Sequence, residues 1–446
     1  MTCNAVMVTS LPPGPTAGPA LQTMRWLVRP IAFLEACRRR YGDAFSVRFL
    51  GFETPLVMVS KPEVLRALYS ESGHGLPPGR TLSLRPITGP RSVLLLDGVE
   101  HLSRRRVMLP PFHGDRMRAY EPIVREAAER EIVRWPMDRP FAAHPSMQAI
   151  TLDVILRAVF GVTDAGRRAR LRDGLVDLLG STASAGLQFS VLLSRRLGGR
   201  DPLERLHALM ADIDEILLAE IAERRAVREG EDGAPARGDI CSLLVAARFE
   251  DGGRMADREI RDQLMTLLLA GHETTATALA WTLDLLTRTP DVLERLVREL
   301  DDNDDAYLRA VIAESLRLRP VVPLAGRRLT SELRADGLVL PAGTDVTPAI
   351  WLAHTRPDSY PEPYAFRPER FLNRPPATYA WVPFGGGVRR CLGAAFAEME
   401  MRVVLTTILR QRALRPATRH AERVARRNVT FSPKHGTRIE ASLPAR

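Results

Sequence analysis

The sequence predicts a mostly α-helical protein with a small β component, built around one long central helix. Between residues 100 and 318, apolar residues recur mainly at the spacing of amphipathic helices. The longest such pattern covers residues 257–289, and a helix of that length would cross a whole domain. Short β-like stretches lie near the N-terminus and in the last third of the chain.

In the first half of the chain, helices alternate with two short strands. Residues 31–41 have a helical pattern that ends at Gly42. Residues 45–60 predict two strands joined by a turn at 51–55. The other predicted elements are a helix over 61–69, a long irregular loop over the Gly- and Pro-rich residues 73–90, and mostly helical structure from 100 to about 226.

In the second half, a solvated loop precedes a run of helices. Residues 229–239, EGEDGAPARGD, predict this loop, and residues 240–318 predict the helices. β-like pieces and proline-rich loops follow up to Phe384, and then one more helix and a tail of short strands.

Size and composition predict one large domain. The chain has 446 residues, of which 45 % are hydrophobic and 26 % charged, and it shows neither a repeat nor a linker. We expect a single domain over residues 25–446 behind a flexible, Pro- and Gly-rich leader, residues 1–24. The leader lacks the basic start of a secretory signal, and no segment has the apolar run of a membrane span. We therefore expect a cytoplasmic protein with no membrane span.

The formal net charge is +10, and almost all of the positive charge is arginine. The arginines are spread along the chain, without interleaved aromatic residues or a recognisable DNA-binding module. We therefore expect no nucleic-acid partner. The charge suits docking of an acidic protein instead.

The four cysteines are far apart and form no CxxC pair, which argues against a disulfide framework or a zinc site and favours a reducing compartment. Only Cys391 has an unusual context, the loop FGGGVRRCLG just before a predicted helix. Glycines let backbone N–H groups approach the sulfur, and arginines and the helix dipole favour a thiolate. A planar metal macrocycle with acidic edges would need both features, and iron is the natural metal for a lone thiolate.

The long helix contains a second candidate site, LLLAGHETTATALAW. Gly271 and the threonines that follow it favour a local bend or opening of the helix. Glu273 lies next to the Thr274 hydroxyl, and such a pair could pass protons to a molecule bound in the opening. The alternative is a packing glycine beside an exposed glutamate.

A third pattern is a possible buried charge cluster. In AESLRLRP, Glu314 and Arg317 share one helix face, and in FRPERF, Arg370 lies among aromatic residues and prolines. A buried glutamate with two arginines would fix the geometry of the loop. An ordinary surface pair is the alternative.

Together these motifs resemble those of the cytochromes P-450. FGGGVRRCLG matches the haem-binding pattern FGxGxRxCxG at Phe384, Gly385, Gly387, Arg389, Cys391 and Gly393. AGHETT resembles the family's oxygen-activation motif, Glu314 and Arg317 its ExxR pair, and Arg370 the third member of that cluster. The motifs occur in the family's order, and the resemblance extends from about Leu11 to the C-terminus. It implies the cytochrome P-450 fold, with the long central helix crossing the haem.

The resemblance also implies a role for each matching residue. Cys391 would be the thiolate ligand of the iron of haem b, and Glu273 and Thr274 would deliver protons. His101 and Arg105, in HLSRR, resemble a pair that binds a haem propionate, and Arg327 and Arg389 resemble further propionate partners. Arg328 is an alternative to Arg327. His272 is expected to make an ordinary hydrogen bond.

The implied function is a monooxygenase that inserts one oxygen atom from O₂ into a small apolar substrate such as a lipid, terpenoid or steroid. Electrons would come from a ferredoxin-type donor and its reductase, docking near Arg389, Arg390 and Arg402. A peroxide-dependent or rearranging haem-thiolate enzyme is one alternative, and a non-catalytic haem or ligand sensor is another. The Glu273–Thr274 pair argues against both. Substrate contacts are expected from residues 76–96, from 181–197 and around Leu269.

Overall fold

The computed structural model describes residues 11–70, 75–76, 80–182, 204–229, 238–302, 304–372, 377–427 and 429–444, and most of them are helical. The helices are α1 (Pro19–Val28), α2 (Pro30–Tyr41), α3 (Pro62–Ser70), α4 (Arg80–Thr88), α5 (Gly98–Met108), α6 (Arg116–Ile132), α7 (Ala143–Val154), α8 (Ala165–Thr182), α9 (Glu204–Glu229), α10 (Ile240–Ala246), α11 (Asp257–Thr287), α12 (Pro290–Asp301), α13 (Ala306–Leu318), α14 (Ile350–His354) and α15 (Ala394–Gln411). A π-helical turn follows α7 at Ile155–Val159.

The strands are short and form small sheets. They are β1 (Ala44–Val47), β2 (Leu56–Val59), β3 (Phe141–Ala142), β4 (Arg327–Arg328), β5 (Leu333–Ala335), β6 (Leu338–Leu340), β7 (Asp345–Pro348), β8 (Ala413–Pro416), β9 (Val424–Arg427), β10 (Thr430–Pro433) and β11 (Arg438–Ser442). The largest sheet has the order β1-β2-β7-β4. In it, β2 and β7 run parallel, with Val57 opposite Val346, and the other pairs are antiparallel.

Helix α11 is the centre of the molecule. Its 31 residues correspond to a length of about 46 Å. Trp281 is fully buried, and its indole N–H donates to the Phe431 carbonyl at 2.7 Å. Helices α7, α9, α13 and α15 pack around α11 and share its main hydrophobic core. The predicted mostly helical fold around one long helix is therefore confirmed.

Most predicted elements are present. The helix expected at 31–41 is α2, which begins at Pro30 and ends before Gly42, whose φ is +87°. The expected hairpin is β1 and β2, which are paired antiparallel. Most of the predicted loop at 229–239 lies outside the described residues, as does most of the substrate region expected at 181–197.

The prediction of irregular structure at 73–90 is wrong for residues 80–88, which form α4. Pro86 removes one backbone donor from this helix. Tertiary contacts outweigh that loss. The Arg261 side chain of α11 donates to the Ile87 carbonyl at 3.3 Å, and Gly89 N–H closes the helix on the Arg85 carbonyl.

Helix α1 lies partly within the predicted leader. It begins at Pro19, and its Gln22 side chain is buried. The Gln22 amide donates to the Ala17 carbonyl at 2.6 Å and accepts a hydrogen bond from Arg48 N–H at 2.9 Å. The packed chain therefore includes residues before 25. Within the described residues, no helix combines the length and the apolar character that crossing a membrane requires.

Candidate active site

The loop that carries Cys391 is fixed by a backbone hydrogen bond and by close packing of its glycines. Cys391 N–H donates to the Phe384 carbonyl at 2.8 Å, and α15 begins just after the loop. Gly385 and Gly387 have φ values of +67° and +63°, which glycine adopts at little cost. A Cβ atom on Gly387 would lie 2.3 Å from the Tyr69 carbonyl oxygen. Glycine there allows the loop to pack against α3.

The Cys391 side chain is accessible to solvent, although protein surrounds it on most sides. Burial raises the pKa of its thiol above the ordinary value. The backbone N–H of Gly393 and the charges of Arg105 and Arg390 offset this effect only in part. These protein groups thus act in the predicted direction, although on their own they do not outweigh the cost of burial. A metal cation at the sulfur would supply the remaining positive charge.

Four of the predicted site residues converge from three parts of the chain. His101 and Arg105 lie on α5, Arg327 on β4 and Arg389 in the cysteine loop. Burial, together with the charges of Arg389, Arg105 and Arg327, lowers the pKa of His101 to about 4. At neutral pH this imidazole is therefore uncharged, and one of its ring nitrogens can donate a hydrogen bond.

The arginines of this group carry more positive charge than the described part of the chain neutralises. Arg389 donates to the Leu96 carbonyl at 2.7 Å and pairs with Asp97. Arg105 and Arg327 have no carboxylate partner among the described residues. Because a desolvated guanidinium is costly without a counter-ion, this arrangement indicates an anionic ligand.

The structure shows which of Arg327 and Arg328 faces the site, a choice that the sequence left open. Successive side chains of β4 point to opposite faces of the strand. Of these two arginines, only Arg327 lies close enough to His101 for its charge to lower the pKa of the imidazole. The Arg328 guanidinium instead lies 3.4 Å from an Asp345 carboxylate oxygen. Of the two, Arg327 is placed to meet a ligand beside the cysteine loop.

These residues fit the haem that the sequence resemblance implies. The Tyr69 hydroxyl is buried without a hydrogen-bond partner among the described residues, and its ring centre lies 6.0 Å from the Arg327 guanidinium. Haem b presents two carboxylates at its edge, and Arg105, Arg327 and Tyr69 provide donors without carboxylate partners for such groups. Cys391 would provide the sulfur for the iron.

The centre of α11 is only partly buried. From Glu259 to Thr287 every side chain is buried except for a central group. This open group consists of Leu267, Leu269, Ala270, Gly271, Glu273 and Thr274. Its side chains are mainly apolar or small, with one acid and one hydroxyl. The Thr274 hydroxyl donates to the Ala270 carbonyl, as expected of threonine inside a helix.

The Glu273 carboxylate is held by neighbours on α7 and α11. The Gln148 amide donates to one oxygen at 2.6 Å, and the Thr277 hydroxyl donates to the other at 3.4 Å. His144 Nε2 lies 3.7 Å from that second oxygen. Burial raises the pKa of Glu273, and the Gln148 hydrogen bond and the charge of Arg427 oppose that rise in part. Glu273 is thus partly desolvated and held by the Gln148 amide and the Thr277 hydroxyl, which is an environment typical of proton-transfer groups.

Replacing Gln148 with leucine should raise the pKa of Glu273 further, because the strongest hydrogen bond to its ionised form is lost. The infrared band of the protonated carboxyl, assigned with Glu273→Gln, measures this pKa in a pH titration. Thr277→Val removes the longer hydrogen bond and should give a smaller rise. An unchanged titration in Gln148→Leu would show that this contact does not control Glu273.

His272 makes the ordinary hydrogen bond expected of it. The Thr151 hydroxyl lies 2.8 Å from His272 Nδ1, and the imidazole is buried. Burial lowers the pKa of His272 to about 4, so the ring is neutral at pH 7. His272 therefore joins α11 to α7.

The predicted charge cluster is buried. Both oxygens of Glu314 accept from Arg317, at 2.6 and 2.8 Å, and neither side chain is exposed. Arg370 Nε lies 3.3 Å from Glu314, and the backbone N–H of Arg367 donates to the same oxygen at 2.9 Å. Arg317 also donates to the His354 carbonyl at 2.8 Å. The surface-pair alternative is thereby excluded.

The prediction that an electron donor docks near Arg389, Arg390 and Arg402 needs correction, because two of these arginines are ion-paired. Arg389 points inward and pairs with Asp97, so only 9 % of its side chain is exposed. Arg402 is engaged by Glu121 and also lies 3.7 Å from an Asp305 oxygen. Of the three arginines, Arg390 alone is exposed without an ion pair to the described residues.

Sequence reasoning missed three residues at the site: Gln148, Tyr69 and Asp97. Gln148 lies on α7 and contacts Glu273, which is 125 residues away in the sequence. Asp97 pairs with Arg389, which is 292 residues away. None of them belongs to a motif, and no local spacing connects them to their partners. Only the packing of distant elements brings them together.

Comparisons with known proteins agree with this geometry. A sequence profile described as Cytochrome P450 matches residues 12–436. A Mycobacterium bovis protein with the provisional name cytochrome P450 135B1 is 42 % identical over 438 residues, covering 96 % of this chain and 91 % of that protein. A Mycobacterium tuberculosis protein provisionally named cytochrome P450 135A1 is 37 % identical over 439 residues, with 98 % and 96 % coverage.

Solved structures also match over almost the whole chain. A retinoic-acid-bound cyanobacterial protein, CYP120A1, has a TM-score of 0.78 and 26 % identity, covering 98 % of this chain and 100 % of that one. The haem domain of cytochrome P450DA has a TM-score of 0.83 and 24 % identity, covering 98 % and 99 %. The second likeness concerns the fold alone.

Proposed function

This chain belongs to the cytochrome P450 family, and we propose that it hydroxylates a small apolar organic molecule with electrons from a separate ferredoxin-type protein. It is a haem-thiolate monooxygenase, an oxidoreductase whose family members bind haem b through a cysteine thiolate. The observation that carries the proposal is the open centre of α11, where Glu273 and Thr274 stand among apolar and small side chains.

We propose Cys391 as the iron ligand, and Arg105, Arg327, Arg389 and His101 as the residues that hold the propionates. The lack of carboxylate partners for Arg105 and Arg327 among the described residues supports this role. When bound, the haem supplies reduction of O₂ and transfer of an oxygen atom. The protein would fix the cofactor's position through the cysteine loop, the three arginines and the neutral His101 imidazole.

The reaction consumes one substrate C–H bond, O₂, two electrons and two protons, and it yields one hydroxylated product and one water. We propose that Glu273 and Thr274 bring the protons to the distal side. Glu273 suits this role because it is a partly desolvated carboxyl group whose pKa is raised by burial. The Thr274 hydroxyl, which donates to the Ala270 carbonyl in this structure, would turn from that acceptor to pass a proton onward.

The proposed substrate is lipid-, terpenoid- or steroid-like. The open group on α11 contributes Leu267, Leu269 and Ala270, and burial of apolar surface is the main force that such side chains offer a ligand. One structural relative contains retinoic acid, which is an apolar isoprenoid with one carboxylate. That ligand agrees with the class proposed here.

The proposed electron donor is a small acidic iron–sulfur protein supplied with electrons by its reductase. The charges of Arg390, beside Cys391, and of the exposed Arg309 both lower the pKa of Glu398, so the two arginines lie on one surface near the cysteine loop. Arg309 pairs with Asp305 at 2.8 Å, so Arg390 provides the positive charge without an ion pair to a described residue. Positive charge on that surface would accelerate docking of an acidic partner. We also propose a cytoplasmic location, supported by the free thiols of Cys37, Cys241 and Cys391.

Replacing Thr274 with alanine is expected to uncouple electron use from product formation. The variant should still oxidise NAD(P)H through the redox partners but release hydrogen peroxide, with product formation reduced by about 10²-fold. The measurement is product formed and peroxide released per NAD(P)H oxidised.

Thr275→Ala is the matched control, because it removes a neighbouring hydroxyl that is buried away from the open face. It should keep the coupling of the wild type. Equal coupling in Thr274→Ala and wild type would remove Thr274 from the mechanism. That result would favour a peroxide-dependent or rearranging enzyme, or a sensor.

A further inference from the structure

The outward side of α1 and the turn between β1 and β2 expose large apolar side chains. This apolar face consists of Leu21, Met24, Leu27, Val28, Leu50 and Phe52. Their exposed fractions range from 39 to 69 %. Monomeric proteins rarely leave so many neighbouring apolar side chains in water unless the surface binds something.

The helix and the turn form one continuous surface. Leu50 N–H donates to the Thr23 hydroxyl of α1 at 2.8 Å. Beneath the surface, the Trp26 and Phe49 ring centres are 5.9 Å apart, and those of Phe49 and Phe52 are 6.4 Å apart. The apolar face is therefore held rigidly on a packed aromatic layer.

Exposed arginines lie on α1, at both ends of α2 and just after β1. The five are Arg25, Arg29, Arg39, Arg40 and Arg48, and none makes an ion pair with a described residue. Elsewhere exposed arginines commonly pair with carboxylates, as Arg106 does with Glu250 and Arg118 with Asp115. The acids near the face are few: Asp43 is paired with Arg356, and Glu53 is the exposed acid of the turn.

An open groove of about 570 Å³ runs between α1 and α2 beside the face. Its lining combines apolar side chains, among them Val28, Phe33 and Tyr41, with arginines such as Arg29 and Arg40. This combination of apolar floor and cationic rim matches an amphipathic anion, with an apolar tail and a negatively charged head.

We propose that this surface docks on a bilayer that contains anionic phospholipids. Its apolar side chains would enter the boundary between headgroups and acyl chains, and its arginines would contact phosphate groups. The proposal does not depend on the reaction. Docking would bring the protein to the phase where apolar molecules accumulate.

Sedimentation with vesicles tests this proposal on the intact, haem-loaded protein. We expect binding to phosphatidylcholine vesicles that contain about one third phosphatidylglycerol, and much weaker binding to pure phosphatidylcholine. Added salt should weaken the binding because it screens the charges. Equal binding to both kinds of vesicle, or no binding to either, would overturn the proposal.

Variants distinguish the contribution of the apolar side chains to vesicle binding from that of the arginines. Met24→Asp with Leu27→Asp should abolish vesicle binding, and Arg25→Ala and Arg29→Ala should each weaken it about fivefold. The matched controls, Val133→Asp and Arg125→Ala, change exposed residues at the end of α6 and on α6, and they should bind as the wild type does. Circular dichroism checks folding in every case.

The same variants distinguish a protein partner from a membrane. If the face joined two copies of this chain, the wild type would dimerise, Met24→Asp with Leu27→Asp would be monomeric, and vesicles would not bind. That outcome would contradict the proposal. Equal loss of vesicle binding in the control variants would also contradict it, because the effect would then not be specific to this face.

Discussion

Glu314→Ala is expected to lower the free energy of unfolding by about 3–5 kcal/mol and to leave little protein that binds haem. The substitution leaves Arg317 buried without its counter-charge and removes the acceptor for Arg370 Nε. Loss of one partner from a buried pair is costly, whatever the pair contributes to stability as a whole.

The damage should reach the cysteine loop through His354. Arg317 donates to the His354 carbonyl, and His354 Nε2 accepts a hydrogen bond from Val382 N–H at 2.8 Å, just before the loop begins. Chemical denaturation and haem absorbance measure both effects. Glu332→Ala, which breaks an exposed pair with Arg334, is the control and should cost less than about 1 kcal/mol. A stable, fully haem-loaded Glu314→Ala variant would contradict the buried cluster.

Cys391→Ser is expected to abolish the red-shifted absorbance of the ferrous carbon monoxide complex, which marks thiolate ligation. A serine hydroxyl is a poor substitute for a thiolate as an iron ligand. The spectrum is compared per mole of haem in the variant and the wild type. Cys37→Ser and Cys241→Ser change the buried free thiols and should keep the band. Persistence of the band in Cys391→Ser would show that another residue ligates the iron.

Local sequence patterns were sufficient to predict most helices and the motifs that lie within one element. The helix α2 begins at a proline and ends at a glycine, and Glu314 and Arg317 share a helix turn. Such features depend on backbone preferences and on spacing over a few residues. These features can therefore be predicted from the sequence without knowledge of the fold.

Tertiary contacts determine the structural features that could not be predicted from the sequence. Helix α4 forms despite Pro86 because α11 packs against it, with Arg261 donating to the Ile87 carbonyl. The parallel pairing of β2 with β7 joins residues almost three hundred positions apart. Whether an arginine is free for docking also depends on such contacts, as the Arg389–Asp97 pair shows.

Isotope labelling tests most directly whether the protein is a monooxygenase. A substrate found by spectral titration is incubated with NAD(P)H, a ferredoxin and its reductase under ¹⁸O₂. The predicted result is one ¹⁸O atom in each product molecule, with the second oxygen atom reduced to water. Product whose new oxygen atom comes only from water, and so carries no ¹⁸O, or product formed without O₂, would contradict the account.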